Sequence, residues 1–185
     1  MNVGRYAMAG AGASNSAGLA FGGNFPPGDN LSALTESYDG TSWTEVGDLN
    51  TARQNISGNG IYTSALGFGG FVPHGSSWTE VTDLGTSRIN LGTSGVSNTA
   101  ILAFGGDDFT PPTRQQALAE SWNGSSWTEV GDLNAARINL AGFGTQTSAL
   151  AISGYDFDPN VTAETELWNG SSWTEVGDVN TARYN

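Results

Sequence analysis

Short apolar stretches alternate with polar, turn-forming segments along the whole chain. Four of the stretches are runs of consecutive apolar and small residues, at positions 19–23, 66–70, 102–106 and 150–154. Because the apolar residues are consecutive, both faces of each predicted strand are expected to be buried in a layered core. An Asp-Gly or Asn-Gly pair follows three of the stretches and predicts a hairpin between two further strands. The pattern therefore predicts an all-β chain of short antiparallel strands.

Every unit of this pattern ends in nearly the same eight-residue motif. The segment 42–49 recurs at 77–84, 126–133 and 172–179. Its tryptophans are Trp43, Trp78, Trp127 and Trp173, at spacings of 35, 49 and 46 residues. Ten residues after each Trp there is an Arg, at Arg53, Arg88, Arg137 and Arg183. Each unit predicts four short strands, here called a, b, c and d, and repeated units of this length are typical of β-propeller blades. A β-helix solenoid is the structural alternative, although its coils are usually shorter.

The repeat divides a single domain, 1–185, into blades at about 2–49, 50–84, 85–133 and 134–179, with 180–185 as the start of a further repeat. The second unit is shortened, because only seven residues separate Gly70 from Trp78 and leave no room for a regular strand c. Residues 2–6 match residues 180–184. The four units are therefore expected either to close into a small ring or to form an open arc whose faces associate with other chains.

Charge and composition exclude several classes of function. The chain has 18 Asp and Glu against 6 Arg and no Lys, a net charge of −12. This balance opposes nucleic-acid binding and a polybasic membrane anchor. The absence of Cys and the single His, His74, exclude thiolate chemistry and multi-His metal sites. No apolar run approaches the roughly 18 residues of a membrane span, so we expect no membrane insertion. From the charge and the missing catalytic residue types we expect no nucleic-acid partner, no cofactor and no enzyme.

The units resemble the kelch repeat, whose pattern is an apolar strand ending in Gly-Gly, then a Tyr, then a Trp, then a loop with Arg. Residues 22–23, Tyr38, Trp43 and Arg53 match it. The later units depart from the pattern at Trp122 and Trp168, which replace the Tyr, and at Ser153, which replaces a Gly. The resemblance implies a propeller of kelch-type blades. The sequence of the repeats is also similar to that of kelch-like repeat proteins of tailed phages of marine bacteria. This similarity implies a virion or extracellular location and a tail-fibre or surface-recognition role.

The b–c loops differ most between units, and each has a Phe close to a Pro. In a unit of four antiparallel strands the b–c and d–a loops emerge at the same end. That end is expected to collect Phe25, Phe71, Phe109, Phe157, Arg53, Arg88 and Arg137 as candidate ligand-binding residues. Because binding residues concentrate on loops held by a rigid scaffold, we expect a host-surface glycan or protein as partner. The alternative function is that of a structural, self-assembling propeller protein, whose copies form rings or filaments through blade faces or chain ends.

The repeated residues also have a packing interpretation. Each Arg follows an Asp by five residues, as in Asp48 and Arg53. The Arg set either forms a ring of cations for an anion or pairs with carboxylates of its own or the next unit. The repeated Trp residues are assigned to the core between units. Asp156, Asp158 and Asn160 have the spacing that opens a calcium loop, but its Gly and distal Glu are absent, so no metal site is predicted.

Overall fold

The computed structural model describes residues 1–27, 30–70, 82–112, 114–156 and 160–184. Within these ranges it contains sixteen β-strands and no helix. The all-β expectation is confirmed, and the strands pair throughout in antiparallel fashion.

Three of the four units form four-stranded sheets in the order a–b–c–d. Sheet 1 contains β1 (Ala9–Ser14), β2 (Ala17–Phe21), β5 (Thr35–Tyr38) and β6 (Trp43–Val46), and its b–c connection holds a small hairpin of β3 (Asn24–Phe25) and β4 (Asn30–Leu31). Sheet 2 is described for its first two strands, β7 (Ser57–Ile61) and β8 (Ser64–Phe68). Residues 71–81, with Trp78 and the shortened part of this unit, lie outside the described residues.

Sheets 3 and 4 repeat the same order. Sheet 3 contains β9 (Gly92–Ser97), β10 (Ala100–Phe104), β11 (Ala119–Trp122) and β12 (Trp127–Glu129). Sheet 4 contains β13 (Ala141–Gly144), β14 (Ala149–Tyr155), β15 (Val161–Trp168) and β16 (Trp173–Val176).

The c–d turns lie where the sequence predicts them, but each is a four-residue loop instead of a two-residue one. In sheet 1 the Asp39 amide donates to the Ser42 carbonyl at 3.3 Å, and only Gly40 has a positive φ, of 99°. The backbone N–H groups of Ser42 and Thr41 both donate to the Asp39 carboxylate at 2.8 Å. These hydrogen bonds hold the pKa of Asp39 well below its usual range. Asn123 and Asn169 make the corresponding contacts in sheets 3 and 4.

Neighbouring sheets pack face to face through a repeated aromatic contact. Phe104 of sheet 3 lies 4.9 Å from Trp173 of sheet 4, between ring centroids. Phe68 of sheet 2 lies 5.0 Å from Trp127 of sheet 3. We call the face that carries the strand-b Phe the forward face, because it packs on the following sheet, and the opposite face the back face. Strand pairing places Trp43 on the back face of sheet 1.

Each junction between sheets has its own apolar core. The largest cluster joins Leu102, Phe104 and Ala119 of sheet 3 to Leu140, Ala149, Ala151, Trp168 and Trp173 of sheet 4. Corresponding clusters join sheet 2 to sheet 3 and sheet 1 to Ile56 at the start of sheet 2. The strands a of successive sheets also contact one another, in the series β1, β7, β9, β13. Among the described strands no contact of that extent joins β13 back to β1.

Close approach of strands a makes glycine necessary at Gly142. Its back face lies so near β9 that an added Cβ would overlap the backbone of Thr93. Gly47, just after β6, has no atom within 4 Å of such a Cβ. The two glycines therefore form a matched pair for testing the packing of the strands.

We predict that Gly142→Ala destabilises the protein by about 1–3 kcal/mol, the usual cost of overpacking a tight contact. Gly47→Ala should change stability by less than about 0.5 kcal/mol, as surface substitutions usually do. Urea unfolding followed by tryptophan fluorescence measures both. Equal stability of the two variants would show that β9 and β13 do not approach as described.

Candidate functional site

Arg137 connects sheet 3 to sheet 4 through its backbone and its side chain. Its carbonyl oxygen accepts a hydrogen bond from the Gly106 amide of sheet 3 at 2.9 Å. Its Nη1 donates to the carbonyl oxygens of Ser153 and Glu164 in sheet 4, at 3.1 and 2.7 Å. Its Nη2 donates to Glu166 Oε1 at 2.7 Å, with the Arg side chain fully buried. We call this arrangement an arginine clasp: the backbone is held by one sheet and the guanidinium by the next.

Arg88 makes the same clasp between sheets 2 and 3. Its carbonyl accepts from the Gly70 amide at 3.4 Å. Its Nη1 donates to the carbonyls of Gly105 and Leu118, both at 2.7 Å, and its Nη2 to Glu120 Oε1 at 2.7 Å. Burial lowers the pKa of Arg88, and the charge and hydrogen bond of Glu120 act in the opposite direction. The ion pair therefore offsets the cost of burying the guanidinium.

The amino-terminal residues supply sheet 1 with the guanidinium half of such a clasp. Arg5 donates to the Gly22 carbonyl at 2.9 Å, to the Leu34 carbonyl and to Glu36 Oε2 at 2.8 Å. The Arg5 side chain is fully buried. The Asn2 amide donates to the other Glu36 oxygen. Both carboxylate oxygens of Glu36 are thus held by one short segment of the chain.

Asn2 also matches a residue of the loop before sheet 4. Its Nδ2 donates to the Trp43 carbonyl at 2.9 Å. Asn134 donates in the same way to the Trp173 carbonyl at 3.3 Å, and its amide donates to Glu166 at 2.7 Å. Residues 2–5 therefore occupy on sheet 1 the place that residues 134–137 occupy on sheet 4.

Two further Arg residues make part of the clasp. Arg53 has both the backbone contact and a guanidinium contact, whereas Arg183 has only the backbone contact of the two. The Arg53 carbonyl accepts from the Gly23 amide of sheet 1 at 2.7 Å, and its Nη1 donates to the Gly69 carbonyl of sheet 2 at 3.1 Å. The Arg183 carbonyl accepts from the Gly154 amide of sheet 4 at 3.0 Å. Arg183 is exposed and its Nε donates to the Thr181 carbonyl at 3.2 Å. It makes no ion pair with a carboxylate of the described ranges.

The structure thus places Arg88 and Arg137 between sheets and not in an exposed cationic ring. Their carboxylate partners and that of Arg5, which the sequence interpretation did not identify, are glutamates two residues before the strand-c aromatic residue: Glu36, Glu120 and Glu166. The constant spacing between this glutamate and the strand-c aromatic residue is the feature of the sequence that could have identified the partners. The repeated Asp residues act locally instead, because Asp48 and Asp132 accept from the first amides of strands c, at 3.0 and 3.2 Å.

The b–c loops lie at the same end of the sheets as the clasps. The residues after Arg5, Arg88 and Arg137 each form a β-bridge with a residue shortly beyond strand b or at its end: Tyr6 with Asn24, Ile89 with Asp107, and Ile138 with Tyr155. The loop ends are therefore tied to the buried junctions, which gives them a rigid base.

The b–c loop of sheet 3 presents an exposed aromatic ring on a charged support. Asp107 accepts from Arg114 at both oxygens, at 3.1 and 2.6 Å. The Arg114 guanidinium lies 4.7 Å from the centroid of the Phe109 ring, within cation–π range. Phe109 remains 51% exposed and has a left-handed φ of 62°. Its amide donates to Asp107 Oδ1 at 2.7 Å, so the carboxylate orients both ring and guanidinium.

The other predicted loop residues are placed differently. Phe25 is half-buried in β3. Phe71, Phe157, Asp158 and His74 lie outside the described residues. The described part of the chain therefore brings together only the Phe109 portion of the predicted loop site, and it adds Arg114, which the sequence interpretation did not include.

No metal site is visible in the described part of the chain. The Asp156 amide donates to the Asn160 carbonyl at 3.2 Å, which is a backbone contact across the loop. No group of three or more His, Cys, Asp and Glu side chains in the described ranges is arranged to hold an ion.

Over the same ranges, the structure contains no helix long and apolar enough to cross a membrane. Compared with protein-family models and with curated protein sequences, the chain matches none.

We predict that Arg137→Met destabilises the protein by about 3–5 kcal/mol, because it leaves Glu166 buried without its charged partner. Arg114→Met should cost less than about 1 kcal/mol, since the side chain of Arg114 is 48% exposed and surface ion pairs contribute little. Chemical denaturation measures both.

The double variant Arg137→Met/Glu166→Met separates the pair from the loss of packing. Replacing both charges removes the unpaired carboxylate, so it should be more stable than Arg137→Met alone. If the double variant loses as much free energy of unfolding as Arg137→Met and Glu166→Met lose together, Arg137 and Glu166 do not interact directly.

Proposed function

We propose that the four units are kelch-type propeller blades, the second one shortened, and that the chain is a non-enzymatic binding module. Three described sheets with the order a–b–c–d support the blade interpretation. So do the serial contacts between strands a and the back-face Trp residues that pack on the preceding sheet. In this arrangement the arginine clasps fix one blade to the next and leave the b–c loops free to differ.

The observation that carries the binding proposal is the Phe109 ring supported by Arg114 and Asp107. An exposed aromatic ring with one face against a guanidinium still presents apolar surface to a ligand, such as the C–H face of a sugar or an apolar side chain. Because the carboxylate holds the guanidinium at two oxygens, the platform is ordered before the ligand arrives. Such preorganisation reduces the entropy lost on binding.

The overall charge selects among ligands. At a net charge of −12 the chain repels anions at long range, which favours a neutral glycan or a neutral or cationic protein segment. This ligand class fits a surface-recognition role as part of a phage tail fibre or another virion or extracellular component. The partner is then a glycan or protein of the host surface.

We predict that Phe109→Ala weakens binding of the recognised glycan or protein about tenfold or more, the loss expected at an aromatic hot spot. The measurement is a glycan-array and host-cell binding screen of the purified chain, followed by titration of the strongest ligand. Phe25→Ala and Phe157→Ala test whether the neighbouring loops take part.

Tyr62→Ala is the matched control, because Tyr62 is 46% exposed but lies in the a–b turn at the other end of sheet 2. It should bind as the unaltered chain does. The proposal fails if no glycan or host surface is bound, or if Phe109→Ala and Tyr62→Ala bind equally well.

The second function predicted from the sequence, self-association, is favoured by a separate observation. Sheet 4 leaves two large apolar side chains, Phe143 and Leu167, exposed on its forward face.

A further inference from the structure

The forward face of sheet 4 is apolar and uncovered. Phe143 of β13 is 72% exposed and Leu167 of β15 is 38% exposed. Pairing with β14 places both beside Leu150 on this face. The strand-a positions that correspond to Phe143 in the other sheets hold small or polar residues: Ala11, Asn59 and Ser94. The strand-c positions that correspond to Leu167 hold Ser37 and Ser121. Sheet 4 is thus more apolar at the face that no described sheet covers, which indicates an interaction surface.

The back face of sheet 1 has the features of a partner for such a surface. Tyr38 and Trp43 stack there at 5.1 Å between centroids, at the positions that Trp168 and Trp173 hold in sheet 4. The sheet 4 residues are buried against sheet 3, whereas Tyr38 and Trp43 are only half-buried. Beside them the strand-a and strand-b positions on this face hold only small residues: Gly10, Gly12, Gly18 and Ala20. A shallow surface of three glycines and one alanine next to two aromatic rings suits a protruding Phe.

The segment 180–183 repeats the donor half of the clasp. Its Asn180 and Arg183 correspond to Asn134 and Arg137 in the repeat, and the Arg183 backbone is already fixed to sheet 4 at Gly154. Unlike Arg5, Arg88 and Arg137, the exposed Arg183 side chain makes no ion pair with a carboxylate of the described residues. The acceptor half exists in the same chain at Glu36, where residues 2–5 fill it.

We propose that copies of this chain associate head to tail through a fourth clasp. Residues 180–183 and the forward face of sheet 4 of one copy bind the back face of sheet 1 of another, where they replace residues 2–5 of that second copy. The Arg183 guanidinium then takes the place of Arg5 at Glu36, and Phe143 lies on the glycine surface beside Trp43.

A second copy is the occupant that the chain itself specifies. Both halves of the new junction are variants of the junctions that already join its four sheets, so the contact continues an established interface. The exchange breaks the contacts of Arg5 with Glu36 and makes equivalent ones with Arg183, so the two states differ little in hydrogen bonding and charge pairing. The additional burial of Phe143, Leu167 and Trp43 then favours the associated state. Since donor and acceptor surfaces differ, the association is heterologous and leads to rings or filaments.

The proposal predicts opposite effects for two equivalent arginines. Arg183→Ala removes the donor and should weaken association about tenfold or more, as truncation of a buried charged pair does. Arg5→Ala removes the internal competitor and should strengthen association by a similar factor. The measurement is light scattering coupled to size exclusion over a concentration series. Physiological ionic strength is required, because at low salt the net charge of −12 opposes contact between copies.

The double variant Arg5→Ala/Arg183→Ala distinguishes specific exchange from aggregation of a loosened fold. Under the proposal it associates no better than Arg183→Ala. If it associates as strongly as Arg5→Ala, the clasp exchange is refuted. Arg183→Ala and Phe143→Ser alter exposed positions and leave the fold intact, so they remain informative even if Arg5→Ala unfolds.

Phe143→Ser, which restores the serine found at the same position of sheet 3, should also weaken association. Phe109→Ala should not, so failure of the loop-binding proposal and failure of this one are separate results. An unaltered chain that stays monomeric at every concentration overturns the proposal. That includes the outcome in which Arg183→Ala lowers the melting temperature without changing the mass, because Arg183 would then close onto Glu36 of its own chain.

Discussion

The buried pair between an arginine guanidinium and a strand-c glutamate is the interaction on which the arrangement of the sheets depends. It brings a full charge of each sign into the interior, at Arg5 with Glu36, Arg88 with Glu120 and Arg137 with Glu166. Burial of charges is costly unless the geometry is good and the remaining polar atoms are bonded. Here each guanidinium also donates to two backbone carbonyls. The buried Nε atoms of Arg5 and Arg137 have no hydrogen-bond partner among the described residues, so one donor of each guanidinium is unsatisfied. Because the backbone of Arg88 and of Arg137 is held by one sheet and the guanidinium by the next, these contacts couple the positions of successive sheets.

The Gly-Gly that ends strand b is a consequence of this clasp. The first glycine of sheet 1, Gly22, has a φ of 68°, and a Cβ on it would lie 2.7 Å from the Arg53 carbonyl oxygen. Gly105 meets Arg137 in the same way. The carbonyl of that same glycine accepts from the arginine that arrives from the preceding unit, as Gly105 does from Arg88. Two arginines thus meet at one tight turn, which only a residue without a large side chain permits.

The clasp also connects packing to the surface that we propose for binding. Asp107, which holds Arg114 and through it Phe109, lies two residues after Gly105 in the chain. It is bridged to Ile89, directly after the clasp residue Arg88. The exposed Phe109 ring is therefore built on a buried charged junction. This arrangement lets the loops differ in sequence from unit to unit while their bases keep the same position.

The same interaction explains why the two outer faces complement each other. A clasp needs a loop arginine from one unit and a glutamate from the next, and sheets 1, 3 and 4 each have a glutamate in strand c and an arginine after strand d. In sheet 1 the guanidinium that binds Glu36 comes from Arg5. Arg183 has the same position in the repeat as Arg137, but its side chain is exposed. Larger apolar residues at Phe143 and Leu167 occur on the uncovered face and not on the covered ones. At these two strand positions sheet 4 differs from the other sheets on the face where it has no neighbour in the described chain.

The sequence by itself determined the repeat, the all-β class and the position of most strands and turns. These features depend on local periods, on Gly with positive φ and on Asp or Asn at turns, all of which act over a few neighbouring residues. It also left the choice between an arginine ring and arginine packing open, and only the tertiary structure decided it. The partners Glu36, Glu120 and Glu166 lie about thirty residues from their arginines, so their pairing depends on how whole sheets stack. The support of Phe109 by Arg114 and the exposure of Phe143 follow from the same cause, because contacts across a loop and coverage of a face are properties of the assembled sheets.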